Sequence, residues 1–205
     1  MSYDTLIAGA GLIGSSIAWL LAKAGLRIIL IDAVKFGSEA SAAGAGMLAP
    51  GGEYREYSPA AQFALQSLAM YPAFVRALEK ESSVPIDFRK CGTVELAYEH
   101  AHWESLEKHA DVQRRFGISV DSICTSTLRE LAPGLNLGGV CGALYYPNEA
   151  CVAPQDLLKA LKIACERSGV TILEATPVKS IHAEASGVAA VTKDGLIKAR
   201  SAVLA

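Results

Sequence analysis

The sequence predicts an α/β fold with a parallel sheet. Three observations carry this. A strand, a helix and a second strand follow one another within the first 32 residues, an order that makes a βαβ unit with parallel strands. The second strand, Leu26 to Ile31, is continuously apolar apart from Arg27. A Gly-x-Gly-x-x-Gly turn joins the first strand to the helix.

The elements follow in order. Tyr3–Ala8 reads as a strand running into glycines. Leu12–Ala24 is helical, with Ile13, Ile17, Leu20, Leu21 and Ala24 at helical spacing, and Gly25 suits the left-handed position past a helix end. Residues 37–52 are rich in Gly, Ala and Ser, show no period and read as a long functional loop. Pro59–Glu81 is helical, with Pro72 as the place for a bend. Pro85–Tyr98 is extended, with Cys91-Gly92 as a turn or bulge, and Ala101–Phe116 is a polar-faced helix. Leu128–Leu131 is a helical turn before Pro133-Gly134, and Val140–Tyr146 is a strand. Pro154–Ser168 is a helix, with proline in its first turn and Gly169 at its end. Val170–Leu173 and Val178–Ala183 are strands, and Gly187–Thr192 with Leu196–Ala199 forms a hairpin around Lys193-Asp194-Gly195. Ser201–Ala205 opens a further apolar strand. A natural domain seldom stops on the first residues of a buried strand, so the 205 residues are expected to belong to a longer protein, with sheet edges and apolar surface exposed when taken alone.

Composition narrows the function classes. Hydrophobic residues are 51% and charged residues 20%, enough for a sizeable core. Lys and Arg number 19 against 21 Asp and Glu, a net charge of -2, which lacks the basic footprint of a general nucleic-acid binder. Mean hydropathy is +0.28. The most apolar stretch, Leu12 to Ile31, contains Lys23 and Arg27, whereas a membrane-spanning helix needs ~20 nearly uncharged residues. No basic segment of secretory type opens the chain, so a cytoplasmic location is expected. Five cysteines without a Cys-x-x-Cys pair point to reduced, mostly structural thiols.

The glycine turn is Gly9-Ala10-Gly11-Leu12-Ile13-Gly14. Gly9 permits a tight turn off the strand, Gly11 lets backbone approach a pyrophosphate, and Gly14 lets helix pack closely on strand. The helix then offers free N–H groups and its positive dipole end to phosphate oxygens. Asp32, 18 residues after Gly14, closes the second strand where a carboxylate accepts from the ribose hydroxyls of an adenosine and repels a 2′-phosphate. The motif fits FAD and NAD alike. The small-residue run Ala40-Ser41-Ala42-Ala43-Gly44-Ala45-Gly46-Met47-Leu48-Ala49-Pro50 favours FAD, because it lets backbone lie against a large flat ligand.

At these residues the chain resembles the D-amino-acid oxidase (DAO) family of FAD-dependent oxidoreductases. Ser41 through Pro50, followed by Glu53, is most similar to the glycine oxidases of thiamine biosynthesis. The resemblance continues through Cys91–Ala97, Gly142–Pro147, Val152–Pro154 and Thr176-Pro177-Val178. Ala153 departs from it, since the family often has an acid there. It implies a Rossmann-like FAD-binding domain with a parallel sheet at residues 1–86 and 148–205, and part of an antiparallel α+β substrate-binding domain at 87–147. It also implies roles for residues. Gly9, Gly11, Leu12, Ile13 and Gly14 lie at the pyrophosphate, and Asp32 and Ala33 at the ribose. Ala40, Ser41, Ala45, Gly46 and Met47 line the pyrophosphate and flavin ring, and Val178 meets the adenine.

The implied reaction oxidises glycine or another small amino acid or amine. A hydride passes to flavin, the imine hydrolyses, and oxygen or another acceptor takes the electrons. The arginine that grips the substrate carboxylate lies, in the family, beyond these residues, so no catalytic residue is nominated and the 205 residues alone are expected to be inactive or very weak. A D-amino-acid dehydrogenase or sarcosine-type oxidase shares the turn, and a module that binds FAD or NAD without turnover is the reading from another class. Homo-oligomers fit either. His100, His102 and His109 read as a solvated face, Tyr145 and Tyr146 as sheet residues, and Ser15 and Ser16 as a helix start outside any hydrolase elbow.

Overall fold

Four consecutive buried residues, Ile28–Ile31, set the first layer: a strand with no polar face must be covered on both sides. The computed structural model describes residues 3–205. The first part of the chain forms β1 (Tyr3–Ala8), α1 (Leu12–Lys23), β2 (Ile28–Ile31), α2 (Ala40–Ala43), β3 (Met47–Leu48), α3 (Pro50–Glu53) and α4 (Pro59–Ser82). There follow β4 (Phe88–Arg89), β5 (Thr93–Ala97), α5 (His100–Arg115), β6 (Asp121–Ile123), α6 (Thr125–Leu131), β7 (Gly142–Tyr146) and β8 (Ala150–Val152). Last come α7 (Pro154–Arg167), β9 (Thr171–Leu173), β10 (Ser180–Glu184), β11 (Gly187–Thr192) and β12 (Gly195–Leu204). The chain divides into two compact units. One holds the residues up to Gly46 with Phe74–Asp87 and Ala153–Ala205, and the other holds Met47–Ala73 with Phe88–Val152.

In the first unit a six-stranded sheet runs in the order β10-β11-β12-β1-β2-β9. The four strands from β12 to β9 are mutually parallel, and β10 and β11 add an antiparallel margin. On one face Leu6, Ile29, Ile31, Ala190 and Ala199 form a core, with Val178 and Leu173 packed against it. On the other, α1 and α7 pack together through small residues, and the Cys165 thiol reaches the carbonyl of Ser15 at 3.4 Å. Trp19 is buried there, edge-on to Phe74 at 5.7 Å. Gly25 and Gly169 end these helices at φ +87° and +77°, the left-handed region that favours glycine.

The second unit is built from two three-stranded antiparallel sheets, β3-β8-β4 and β5-β7-β6. Helix α5 covers the second sheet, and Leu106 and Ala110 join Ala97, Ile118, Val120, Leu144 and Tyr146 in its core.

The structure amends several readings. The stretch 37–52 is not structureless: it contains α2, β3 and α3, and β3 exists because Met47 and Leu48 pair with Cys151 and Ala150 of β8. Leu196–Ala199 and Ser201–Leu204 are parts of one strand, β12, which pairs antiparallel with β11 through its first half and parallel with β1 through its second, and Ala205 lies just past its end. That change of partner breaks the alternation that would mark one strand. Val178 precedes β10 instead of lying within a strand.

Leu6 is fully buried in the core of the parallel sheet. Leu6→Ala is expected to lower unfolding free energy by about 2–5 kcal/mol in denaturant titrations, through lost burial and the cavity left behind.

Candidate functional site

The glycine turn closes on itself by contacts that only glycines permit. Gly9 has φ +112°, and a Cβ there would stand 2.1 Å from the carbonyl oxygen of Ala205. A Cβ on Gly14 would stand 1.9 Å from the carbonyl oxygen of Gly9, so α1 packs directly on the turn. At Gly11 the neighbour is Ser41, whose Oγ would lie 2.7 Å from an added Cβ. That hydroxyl accepts the N–H of Leu12 at 3.0 Å. Helix geometry leaves the first-turn amides without carbonyl partners. Ser41 takes the amide of Leu12, and those of Ile13 and Gly14 point the dipole's positive end outward with no acidic side chain in the first turn.

Asp32 sits where β2 ends. Its Oδ2 accepts the N–H of Ala10 at 2.6 Å and its Oδ1 accepts the N–H of Val34 at 2.9 Å. Each carboxylate oxygen keeps lone-pair capacity for a further donor. The segment after β9 runs alongside: Thr176 N–H donates to the Asp32 carbonyl at 2.8 Å and Ala175 N–H to the Val34 carbonyl at 2.9 Å.

The structure therefore draws Gly9 to Gly14, Gly11 and Leu12 to Ser41, and Asp32 to Ala10 through direct contacts, and Ile13 follows in the first turn of α1 with its side chain exposed. Ala33 is exposed beside Asp32. Ala40 and Ala45 are also exposed, and Gly46 takes φ +73° as the chain leaves α2. Val178 is joined to this unit by core packing. Met47 begins the second unit and is 66% exposed. Backbone donors at a helix start, a carboxylate with spare acceptor capacity and no bulky side chain across the turn together fit a dinucleotide with two phosphates and a ribose.

A second constellation, absent from the sequence reading, lies wholly in the second unit. Gln113 is fully buried, and its Nε2 donates to the carbonyls of Gly51 and Tyr54, both at 2.7 Å. Glu149, also buried, accepts the Gly51 N–H at 2.5 Å and the Thr93 hydroxyl. Arg55 grips Glu95 with both guanidinium nitrogens. The Tyr146 hydroxyl lies 3.2 Å from Glu95 Oε2 and 3.2 Å from Gln113 Oε1, and burial pushes its pKa up to about 12. Residues 51–55 are thus fixed at both backbone groups of Gly51, at the Tyr54 carbonyl and at the Arg55 side chain. One signal was available for Gln113: it follows Leu106 and Ala110 at helical spacing, a polar residue on an apolar stripe. Glu149, in a turn, carries no comparable pattern.

Among the described residues no group of His, Cys, Asp and Glu is placed to hold a metal ion, and no helix is long and apolar enough to cross a membrane. A family description named DAO, FAD dependent oxidoreductase, matches residues 4–205. The chain belongs to the DAO family of FAD-dependent oxidoreductases. FAD is thus the dinucleotide that the turn, Asp32 and the helix start fit. Within the DAO family the chain is 32% identical over 203 residues to glycine oxidase of Geobacillus kaustophilus, covering 99% of this chain and 54% of that protein. The crystal structure of glycine oxidase from that organism superposes with a TM-score of 0.94 over 100% of this chain and 55% of its own. The bifunctional protein ThiO/ThiG of Synechocystis is 31% identical over 204 residues, 98% of this chain and 29% of that protein. The chain spans about half the length of the glycine oxidases it matches.

Asp32→Ala removes the acceptor that ties Ala10 to the second strand and the carboxylate capacity left for a further donor. Hydrogen bonds to a charged group are worth about 1.5–3 kcal/mol, so the dissociation constant for FAD is expected to rise about tenfold or more in fluorescence titrations.

Burial, the largest influence, raises the Glu149 carboxyl above its ordinary value of 4.5. Below that value the carboxyl is protonated folded and unfolded alike, and its contribution to stability is fully present. As pH rises the unfolded chain ionises first, so stability is lost until the folded-state pKa is passed. Unfolding free energy measured against pH should fall above pH 4.5 in the unaltered chain and fall less in Glu149→Gln, whose amide oxygen still accepts from Gly51.

Proposed function

We propose that this chain is the FAD-binding half, with part of the substrate-binding half, of an oxidase acting on glycine or a similarly small amino acid or amine. The observation that carries the reading is the agreement with glycine oxidase through both compact units, not through the nucleotide turn alone. In this reading the first unit holds FAD and the second is part of the substrate-binding sheet. Gly9, Gly11, Leu12, Ile13 and Gly14 hold the pyrophosphate, with Asp32 and Ala33 at the ribose and Val178 backbone at the adenine. Ala40, Ser41, Ala45, Gly46 and Met47 line the pyrophosphate and flavin ring.

FAD, when bound, supplies a two-electron oxidation of the substrate carbon–nitrogen bond and passes the electrons to oxygen as hydrogen peroxide. The chain's own residues bind and orient. Ser41 fixes the first amide of α1, Asp32 fixes the turn, and Gln113 with Glu149 fixes residues 51–54, four to seven positions beyond Met47. The imine released hydrolyses to an oxo acid and ammonia without a dedicated side-chain base. The carboxylate-gripping arginine is proposed to come from residues outside these 205, which alone turn over glycine slowly or not at all. The small-molecule partners are then the amine and oxygen, and cysteines held as thiols accord with a cytoplasmic role in thiamine biosynthesis.

The test is the visible spectrum of the purified chain, followed by addition of glycine. Near one FAD per chain is expected, released intact on denaturation, with no peroxide formed by the 205 residues alone. A folded chain that takes up no flavin would overturn the assignment of the first unit, and steady peroxide formation would overturn the need for further residues.

A further inference from the structure

The thiols of Cys91 and Cys151 lie with their sulfur atoms 3.7 Å apart, both within the second unit. The sheet explains why they meet. Cys151 is the middle residue of β8, opposite Met47 of β3 on one side and Arg89 of β4 on the other. Cys91, two residues beyond Arg89, shares its face and sits diagonally across from Cys151. The β4 ladder ends at Arg89, but the Gly92 N–H still donates to the Glu149 carbonyl at 2.9 Å, so the two segments stay side by side. Closing a disulfide of ~2.05 Å requires the sulfurs to approach by about 1.7 Å. Cys91 lies past the paired part of its strand, where side-chain rotation and a small backbone shift can supply that.

Exposure separates this pair from the chain's other thiols. Mostly structural cysteines are the expectation from sequence, yet among the described residues only Cys165 of the cysteines is fully buried, and burial pushes it up to about 12. Cys91 is exposed and Cys151 half-buried, so a small oxidant reaches them. Cys124 is also exposed, and hydrogen bonds from Ser126 and Thr127 lower it to about 6, but its contacts are hydroxyls, not a second thiol.

We propose that Cys91 and Cys151 form a dithiol that hydrogen peroxide oxidises to a reversible disulfide. The Cys91 thiolate attacks a peroxide oxygen, the O–O bond breaks, and hydroxide leaves and takes up the thiol's proton as water. The resulting sulfenic acid is attacked by the Cys151 sulfur, its S–O bond breaks, and a second water leaves. Two thiols lose two hydrogens in all, and one peroxide becomes two waters. The disulfide pins the turn after β4 to β8, whose other neighbour carries Met47. Only the origin of the peroxide in the enzyme's own turnover rests on the proposed oxidase reading.

The experiment adds one equivalent of hydrogen peroxide to the reduced chain, with the Cys124→Ser variant in parallel to remove the competing thiol. Remaining thiols are alkylated and the protein is digested without reductant for mass spectrometry. Expected are a mass lower by about 2 Da, a peptide linking Cys91 to Cys151, and loss of both on adding dithiothreitol. Separate alkylation of Cys91 and Cys151, or oxygen added to either sulfur without a link, would overturn the proposal. Added peroxide makes this outcome independent of amine oxidation. A chain that links under peroxide, while its flavin-loaded full-length form does not link under glycine, keeps the dithiol and counts against the oxidase reading alone.

Discussion

The hydrogen bond from the Ala10 amide to the Asp32 carboxylate is the constraint on which the nucleotide end of the first unit depends. It joins the glycine turn to the end of the neighbouring parallel strand. Asp32, proposed as a ribose acceptor, therefore also braces the turn: with the Gly9 N–H donated to the Ile31 carbonyl at 2.8 Å, its bond to Ala10 makes a second polar tie between the turn after β1 and the end of β2. The same carboxylate holds Val34, and its own carbonyl holds Thr176, so three segments distant in sequence are registered on one residue. Gly14 then sets how near the helix can come, since any side chain there would meet the Gly9 carbonyl.

The second unit solves a different problem. Residues 50–55 carry little apolar surface, so hydrophobic burial cannot hold them. Gln113 and Glu149 do so by hydrogen bonds from inside the core. Buried polar groups are tolerable only when satisfied. Gln113 uses its amide hydrogens on two backbone carbonyls and leaves its oxygen for Tyr146, while Glu149 has two donors. The arrangement gives specificity of position more than stability, because each group also carries a desolvation cost.

What the sequence disclosed divides along the same line. The βαβ unit, the glycine turn and the acid at position 32 are local patterns, and local spacing suffices to read them. The helices Leu12–Lys23 and Pro154–Arg167 were legible from apolar period and terminal glycines. Strands β3, β6 and β8 were not, since two or three residues cannot show a period and their partners are far away in sequence. Among candidate site residues, the glycines were legible as a tight strand-to-helix turn and Asp32 as the acid that closes β2. That Gly11 makes room for Ser41, and that Asp32 braces Ala10, are contacts between distant segments that no spacing rule encodes.

The double pairing of β12 bears on how the molecule is made. Thr5 and Ser201 touch across strands at 3.1 Å although 196 positions separate them. Strand β1 emerges from the ribosome well before β12, one of its two neighbours in the sheet. Until β12 is made, the central strand of the parallel sheet carries an open edge, next to the glycine turn, that the nascent chain cannot yet close. Folding of this unit therefore waits on the slow meeting of segments distant in sequence.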